Sequence, residues 1–227
     1  MLQRPPSYLQ KITIWLLIAT SLALHAAAGL DFDRLQKSLV LRWGQTPVRL
    51  FSDWQTLINE ARNATETDKL KRINDFFNRR IQFGDDQTIW NAPDYWATPL
   101  ETIGKGAGDC EDFAIIKYFS LKELGVAKEK LRLTYVKAKI GGASSNISQA
   151  HMVLTYYPST DAEPLVLDNL LNDIRPASRR PDLTPVFSFN SDGIFTGASA
   201  QPSGSVDKLS RWKDLISKMK AEGYETD

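Results

Sequence analysis

The sequence has 227 residues, of which 42% are hydrophobic and 24% charged, and its formal net charge is +1. This composition is typical of one globular domain and excludes a disordered chain, which combines low hydrophobicity with high net charge. A nearly neutral domain gives no electrostatic reason to bind nucleic acid, and the basic pairs at 79–80 and 179–180 are too short to supply one.

The N-terminus has the features of a secretory signal peptide. Its first eleven residues contain two basic residues, Arg4 and Lys11. An apolar run follows over 12–24, and three alanines at 26–28 match a small-residue cleavage site. The apolar run is shorter than the roughly 20 residues of a membrane span, so an uncleaved anchor is the weaker alternative. We predict a signal peptide over 1–28 and one exported domain over 29–227, without stable membrane insertion once the leader is removed.

The counts of cysteine and histidine narrow the chemistry of the exported domain. Cys110 is the only cysteine, and His151 is the only histidine outside the predicted leader, which holds His25. One cysteine and one histidine cannot build a zinc site of three or four such ligands, and no internal disulfide can form. A lone thiol in an oxidising compartment is expected to be either buried or used.

Helical periodicity dominates the first part of the chain. Apolar spacing and capping residues predict helices over 31–43, 48–62, 67–80 and 109–124. The last of these is apolar on most sides, which indicates a buried helix whose N-terminus reaches a cleft. Residues 84–108, with several tryptophans and prolines, are predicted as a long loop of the kind that often carries function.

Beyond residue 124 the period changes from helical to alternating. Strands are predicted over 131–140, 150–157 and 165–168, a hairpin over 186–190 and 194–196, and a closing helix over 206–219. Helices followed by consecutive strands indicate the α+β class, with an antiparallel sheet packed against helices.

Cys110 lies where a nucleophile is most easily activated, at the first turn of the predicted buried helix. Asp109 is a plausible N-cap, with Asp112 three residues later as in a capping box. Free backbone N–H groups at a helix start favour a thiolate and can hold an oxyanion. However, Asp109, Glu111 and Asp112 surround the thiol and would raise its pKa unless a cation neutralises them. The alternative for Cys110 is a small buried hydrophobic residue.

His151 and Asp168 supply the other parts of a catalytic triad. His151 lies on one predicted strand and can take and return a proton, while Asp168 ends the next and can orient the imidazole. Taken singly, His151 could be a structural histidine and Asp168 a turn residue. A nucleophile, a base and an acid in this order, with base and acid on neighbouring strands, predict a cysteine protease.

At these residues the chain resembles the bacterial transglutaminase-like cysteine proteinases, in particular their periplasmic LapG-type members. The similarity lies in Gly-Asp-Cys-Glu-Asp at 108–112, Ala-His-Met-Val at 150–153 and Val-Leu-Asp-Asn at 166–169. It implies a papain-like, transglutaminase-like α+β fold and a calcium-dependent enzyme. It also implies that Asp109, Glu111 and Asp112 are the calcium ligands.

The resemblance further implies a biological setting that composition cannot reach. Members of the LapG type cut a large surface adhesin near its N-terminus at a di-alanine site, which promotes biofilm dispersal. The periplasmic domain of an inner-membrane cyclic-di-GMP receptor sequesters these proteases. Trp43 is a candidate for contact with that receptor, or else a core residue. Two other functions remain open at this stage: transglutaminase-type acyl transfer, and a non-catalytic calcium-dependent binding module.

Overall fold

The computed structural model describes residues 30–142, 144–197, 199 and 201–224, so the predicted signal peptide lies outside the described residues. The helices are α1 (Phe32–Trp43), α2 (Val48–Ala61), α3 (Glu66–Arg80), α4 (Asp86–Trp90), α5 (Pro99–Lys105), α6 (Cys110–Glu123) and α7 (Ser210–Glu222). The strands are β1 (Gln82–Phe83), β2 (Ala107–Gly108), β3 (Leu131–Lys139), β4 (Ser148–Tyr156), β5 (Leu165–Leu167), β6 (Arg175–Pro176), β7 (Leu183–Asn190) and β8 (Gly193–Phe195).

Strands β3 to β8 form one antiparallel sheet in the order β6-β5-β4-β3-β7-β8. β3 and β4 pair along their whole length, and β7 and β8 form the predicted hairpin with Asn190 opposite Gly193. The predicted α+β class, with an antiparallel sheet after a helical half, is therefore confirmed.

The prediction of an irregular loop over 84–108 is wrong, because the segment contains α4 and α5 and a parallel contact between β1 and β2. The Thr98 hydroxyl caps α5 by accepting a hydrogen bond from the Glu101 N–H, and the Glu101 carboxylate accepts one from the Thr98 N–H. Pro99 lies at the first helical position, where its missing N–H costs nothing, so it starts a helix here and does not break one.

The closing helix also begins later than predicted. Residues Val206–Lys208 form a separate 3-10 turn, Leu209 has extended backbone angles, and α7 then runs to Glu222. Gly223 adopts a left-handed conformation (φ 99°) that ends the helix, so the C-terminal boundary depends on a residue with no side chain to strain it.

Helix α6 is the central element of the molecule. Every residue from Glu111 to Leu121 is buried, and the helix contacts β3 and β4 of the sheet as well as α3 and α5. Ser120 accepts a hydrogen bond at 3.0 Å from the indole N–H of Trp54, which satisfies two polar groups inside the core. The predicted burial of this helix is confirmed, and it fixes the position of Cys110 at its N-terminus.

Trp43, the candidate for partner contacts, packs against the molecule itself. A Cβ atom placed on Gly104 would lie 2.5 Å from the Trp43 ring, so the indole occupies the space that a side chain on α5 would need. The Arg42 guanidinium lies over the same ring, 4.2 Å from its centroid.

Within the part of the chain that the structure describes, no helix is long and apolar enough to span a membrane.

Candidate active site

The start of α6 is held by close backbone packing around Cys110. Gly108 accepts a hydrogen bond from the Gly84 N–H at 3.1 Å, and the Asp109 N–H donates to Asp112 Oδ2 at 3.4 Å. A Cβ atom on Gly108 would lie 2.7 Å from the Cβ of Asp112. Only glycine fits here, as expected for a tight turn into a helix.

The thiol of Cys110 faces negative charge. Its Sγ donates to Glu111 Oε2 at 3.0 Å. Burial raises the pKa of Cys110 far above its usual range, and the negative charges of Glu111 and Asp109 raise it further, while the Met152 N–H opposes the shift. Without a compensating cation this environment favours the neutral thiol, which is not the nucleophilic form.

His151 and Asp168 meet across neighbouring strands. His151 Nε2 lies 2.8 Å from Asp168 Oδ1, and the two residues are only 4% and 1% exposed. β4, which carries His151, pairs antiparallel with β5, which ends one residue before Asp168. The structure therefore brings the predicted base and the predicted orienting acid into direct hydrogen-bonding contact.

Asp168 is ionised despite its burial. Burial favours its neutral form, but hydrogen bonds from His151, from the Leu170 N–H and from Arg180 outweigh this effect and lower the pKa of Asp168 to about 2. Asn78 on α3 donates to the Asp168 backbone carbonyl at 2.7 Å, which fixes the main chain at the same point. Both the charge and the position of this carboxylate are thus determined by its surroundings.

The thiol and the His151–Asp168 pair approach each other at β4. The Met152 N–H, one residue beyond His151, is the strand group that interacts with Cys110. The side-chain hydrogen bond of the thiol nevertheless goes to Glu111 and not to His151. Because Asp168 occupies Nε2 of the imidazole, Nδ1 is the ring nitrogen left to receive a proton.

Four carboxylates gather beside the thiol: Asp86, Asp109, Glu111 and Asp112, here called the acidic cluster. Oxygen atoms of Asp86, Asp109 and Asp112 lie within 4.8 Å of one another, as do the ligand atoms of Asp109, Cys110 and Glu111. Burial, followed by the charge of Glu111, raises the pKa of Asp109 to about 10 and that of Asp86 to about 6. The described residues around these carboxylates therefore supply too little positive charge to keep them ionised.

The donors of the acidic cluster suit a hard cation. Asp86 Oδ1 and Asp109 Oδ1 are buried and have no hydrogen-bond partner among the described residues. Unpaired carboxylate oxygens that converge in one place are the ligands that calcium prefers. The residues present thus fit a calcium ion, with Asp86 added to the three ligands that the family resemblance implies.

Two residues of this site were not identified from the sequence. Asp86 lies in the segment predicted as a loop, 23 positions before Asp109, and no spacing rule connects them. Arg180, which donates to Asp168 Oδ2 at 2.7 Å, was considered only as half of a basic pair. Its only sequence signal is a position shortly after Asp168, which is too weak to assign a contact.

Comparison with known proteins gives a consistent relationship. Residues 53–181 match the family described as "Bacterial transglutaminase-like cysteine proteinase BTLCP". Among solved structures, Legionella pneumophila LapG is 38% identical with a TM-score of 0.70, covering 84% of this chain and 98% of that one. Its EGTA-treated form is also 38% identical (TM-score 0.72; 84% and 98% coverage), and its calcium-bound form is 37% identical (0.70; 84% and 99%).

The comparison with curated proteins finds no match. The family match nevertheless covers more than half of the chain and includes Cys110 and His151 together with Asp168. The structural match extends over most of both molecules and has the same α+β, transglutaminase-like architecture. The chain therefore belongs to the bacterial transglutaminase-like cysteine proteinases.

Proposed function

We propose that this cysteine proteinase is an exported, calcium-dependent endopeptidase with Cys110 as nucleophile, His151 as base and then acid, and Asp168 as the orienting group. One observation carries the proposal. A His151–Asp168 pair with a 2.8 Å hydrogen bond lies beside a helix-start cysteine whose thiol is in contact with a buried acidic cluster. The His151–Asp168 pair already has the hydrogen bond that catalysis requires, whereas the thiol and the acidic cluster need a cation.

The chain's own groups account for each step of peptide cleavage. The Cys110 thiol gives its proton to His151 Nδ1, and the sulfur attacks the peptide carbonyl. Backbone N–H groups at the start of α6 stabilise the oxyanion, and the imidazolium returns its proton to the leaving amine. Water then hydrolyses the thioester with His151 as base. Asp168 keeps Nε2 protonated throughout, so that Nδ1 remains the proton acceptor.

The calcium ligands in this proposal are Asp86, Asp109, Glu111 and Asp112. When bound, calcium supplies the positive charge that the acidic cluster lacks. The unpaired oxygens of Asp86 and Asp109 support this assignment, as does the existence of a calcium-bound structure of the similar LapG. Magnesium should serve poorly, because it is smaller and gives up its waters reluctantly.

The substrate and setting follow from the resemblance to LapG-type proteases. We propose that the enzyme acts in the periplasm after removal of the leader at 1–28. There it cuts a large surface adhesin near its N-terminus at a di-alanine site and so promotes biofilm dispersal. Its proposed regulatory partner is the periplasmic domain of an inner-membrane cyclic-di-GMP receptor. The 38% identity to LapG over 84% of the chain supports this proposal.

A cleavage assay tests the proposal directly. A purified adhesin N-terminal fragment containing Ala-Ala is incubated with the enzyme in calcium, in EGTA, and in EGTA followed by excess calcium, and the products are weighed by mass spectrometry. We expect two fragments that separate within the di-alanine site, formed only when calcium is present. An uncut fragment in calcium would refute the proposed substrate. Cleavage that continues in EGTA would refute the calcium requirement.

A further inference from the structure

Asp168 has a second buried partner besides the histidine. Its Oδ1 accepts from His151 Nε2 and from the Leu170 N–H at 3.0 Å, while its Oδ2 accepts from Arg180 Nη2 at 2.7 Å. The carboxylate therefore cannot rotate without breaking a charge-assisted bond to a guanidinium. The side chains of Asp168 and Arg180 are 0% and 5% exposed, so solvent cannot replace either partner.

The guanidinium is itself fixed. Arg180 Nε lies 3.0 Å from Asp182 Oδ1, and Nη2 lies 2.7 Å from Asp182 Oδ2, so Asp182 binds two nitrogens of the planar group and shares Nη2 with Asp168. The Arg180 N–H donates to the Ala177 carbonyl, and the Leu183 N–H donates to the Arg180 carbonyl. This turn leads into β7 and holds the arginine against the sheet.

The charges around Asp168 can be stated for each element that packs on it. His151 comes from β4, Arg180 from the turn before β7, and Lys117, which is fully buried on α6, acts on Asp168 electrostatically. Asp182 is the other acid, and it binds Arg180 through Nε and through the same Nη2 that donates to Asp168. Because the guanidinium is permanently charged, it offsets the charge of Asp168 before the imidazole is protonated.

We infer that Arg180 is a positioning residue for the proposed catalytic triad, on which this inference rests. It holds the carboxylate of Asp168 in the orientation that keeps His151 Nε2 bound and Nδ1 directed to the thiol. Asp182 acts one contact further out, by fixing the guanidinium.

The first test separates geometry from general stability by kinetics on an Ala-Ala peptide carrying a fluorophore and a quencher. Arg180→Gln should lower kcat by about 10- to 100-fold, as loss of a supporting partner often does, and leave KM within about twofold. Arg180→Lys should restore part of the rate, because it returns the charge without the fork. Arg175→Gln, which alters a half-exposed arginine paired with Asp173, is the matched control and should behave as wild type.

The second test reads the imidazole without any substrate. In the calcium-loaded full chain, ¹⁵N-histidine NMR identifies His151 by the signal lost in His151→Gln, which leaves His25. Wild type should show the tautomer protonated at Nε2. Arg180→Gln should increase the fraction of the tautomer protonated at Nδ1, because the Asp168 carboxylate is no longer held against Nε2. If the Arg180 variants do not fold, Asp182→Asn should give the same changes, with a rate loss of about two- to fivefold.

The outcomes distinguish the inference from the proposed function. If wild type cleaves the peptide while Arg180→Gln and Asp182→Asn match its kcat and its His151 tautomer, the inference is wrong. A rate loss that merely follows the unfolded fraction in a thermal melt, with no change at His151, also overturns it. If wild type does not cleave at all but the histidine signals change as expected, the proposed function fails while the positioning role of Arg180 stands.

Discussion

The two sides of the active site treat buried charge in opposite ways. On the sheet side, Asp168 is ionised inside the protein because hydrogen bonds from His151, from the Leu170 N–H and from Arg180 outweigh the effect of burial and lower its pKa to about 2. On the helix side, burial and then the negative charges of Glu111 and Asp112 raise the pKa of Asp109 to about 10.

This difference explains which part of the catalytic machinery depends on conditions outside the chain. The sheet side contains its own counter-charges, in Arg180 and Asp168. The helix side holds the proposed nucleophile but leaves buried carboxylate oxygens without hydrogen-bond partners among the described residues. A buried charge without a partner costs several kcal/mol, so the helix side is expected to bind protons or a cation. The proposed calcium dependence therefore rests on the helix that carries the thiol.

The largest effect should come from removing the groups that exchange the proton. Cys110→Ala and His151→Ala should each lower kcat by at least about 10⁴-fold, because triad members act as a unit and losing one disables the others. Peptide hydrolysis measures the loss, and circular dichroism with a thermal melt shows whether the fold is kept. Appreciable turnover by a cleanly folded Cys110→Ala protein would remove the thiol from the mechanism.

The next effect should separate the two sides through calcium. Asp109→Asn combined with Glu111→Gln should remove most of the activity, and the activity that remains should no longer depend on calcium. Asp75→Asn, which alters an exposed ion pair with Lys71, should change neither property. Calcium at 100 times its Kd should stabilise wild type by about 2.7 kcal/mol and the double variant by nothing measurable. Unfolding in urea with calcium or EGTA gives both values. Equal stabilisation of the two proteins would place the ion elsewhere.

A smaller effect is expected for the orienting acid. Asp168→Asn keeps the shape but can hold the wrong tautomer. The equivalent change costs about 10⁴-fold in a serine protease, but cysteine proteases accept a neutral asparagine. We expect a loss of about 10- to 10³-fold, and a larger loss for Asp168→Ala, measured as kcat on the same peptide. Wild-type rates for Asp168→Ala would reduce Asp168 to a strand-end residue and make Asn169 the next candidate.

The smallest effect should appear in stability against pH, where the two sides have opposite signs. The lowered pKa of Asp168 adds stability above its unfolded value near 4, and this is lost as pH falls towards about 2. The raised pKa values of Asp86 and Asp109 give stability that is present below pH 4 and is lost as pH rises towards about 6 and 10. The free energy of unfolding, measured by urea titration in EGTA from pH 3 to 9, should therefore decrease as the pH rises. The decrease should be smaller for Asp109→Asn.

The sequence predicts the long elements and the sheet-side pair well, and the helix side only in part. Periodicity fixes α6 and β4, and strand order then brings His151 to Asp168. Helix α4, at five residues, is too short for a periodic signal, so Asp86 and its place in the acidic cluster could not be found. The direction of the Cys110 thiol is equally hidden, because it depends on side-chain charge and not on pattern.

The burial of residues 111–121 in α6 has a further consequence, for the order in which parts of the active site open. Amides of this helix, covered by α3 and the sheet, should exchange with solvent deuterium only when the whole domain unfolds. α4, which contributes Asp86, is short and has exposed residues, so its amides should exchange through local opening. The carboxylates of α6 would then stay in position while local opening of α4 transiently moves Asp86 away. Calcium should therefore slow deuterium uptake in α4 far more than in α6.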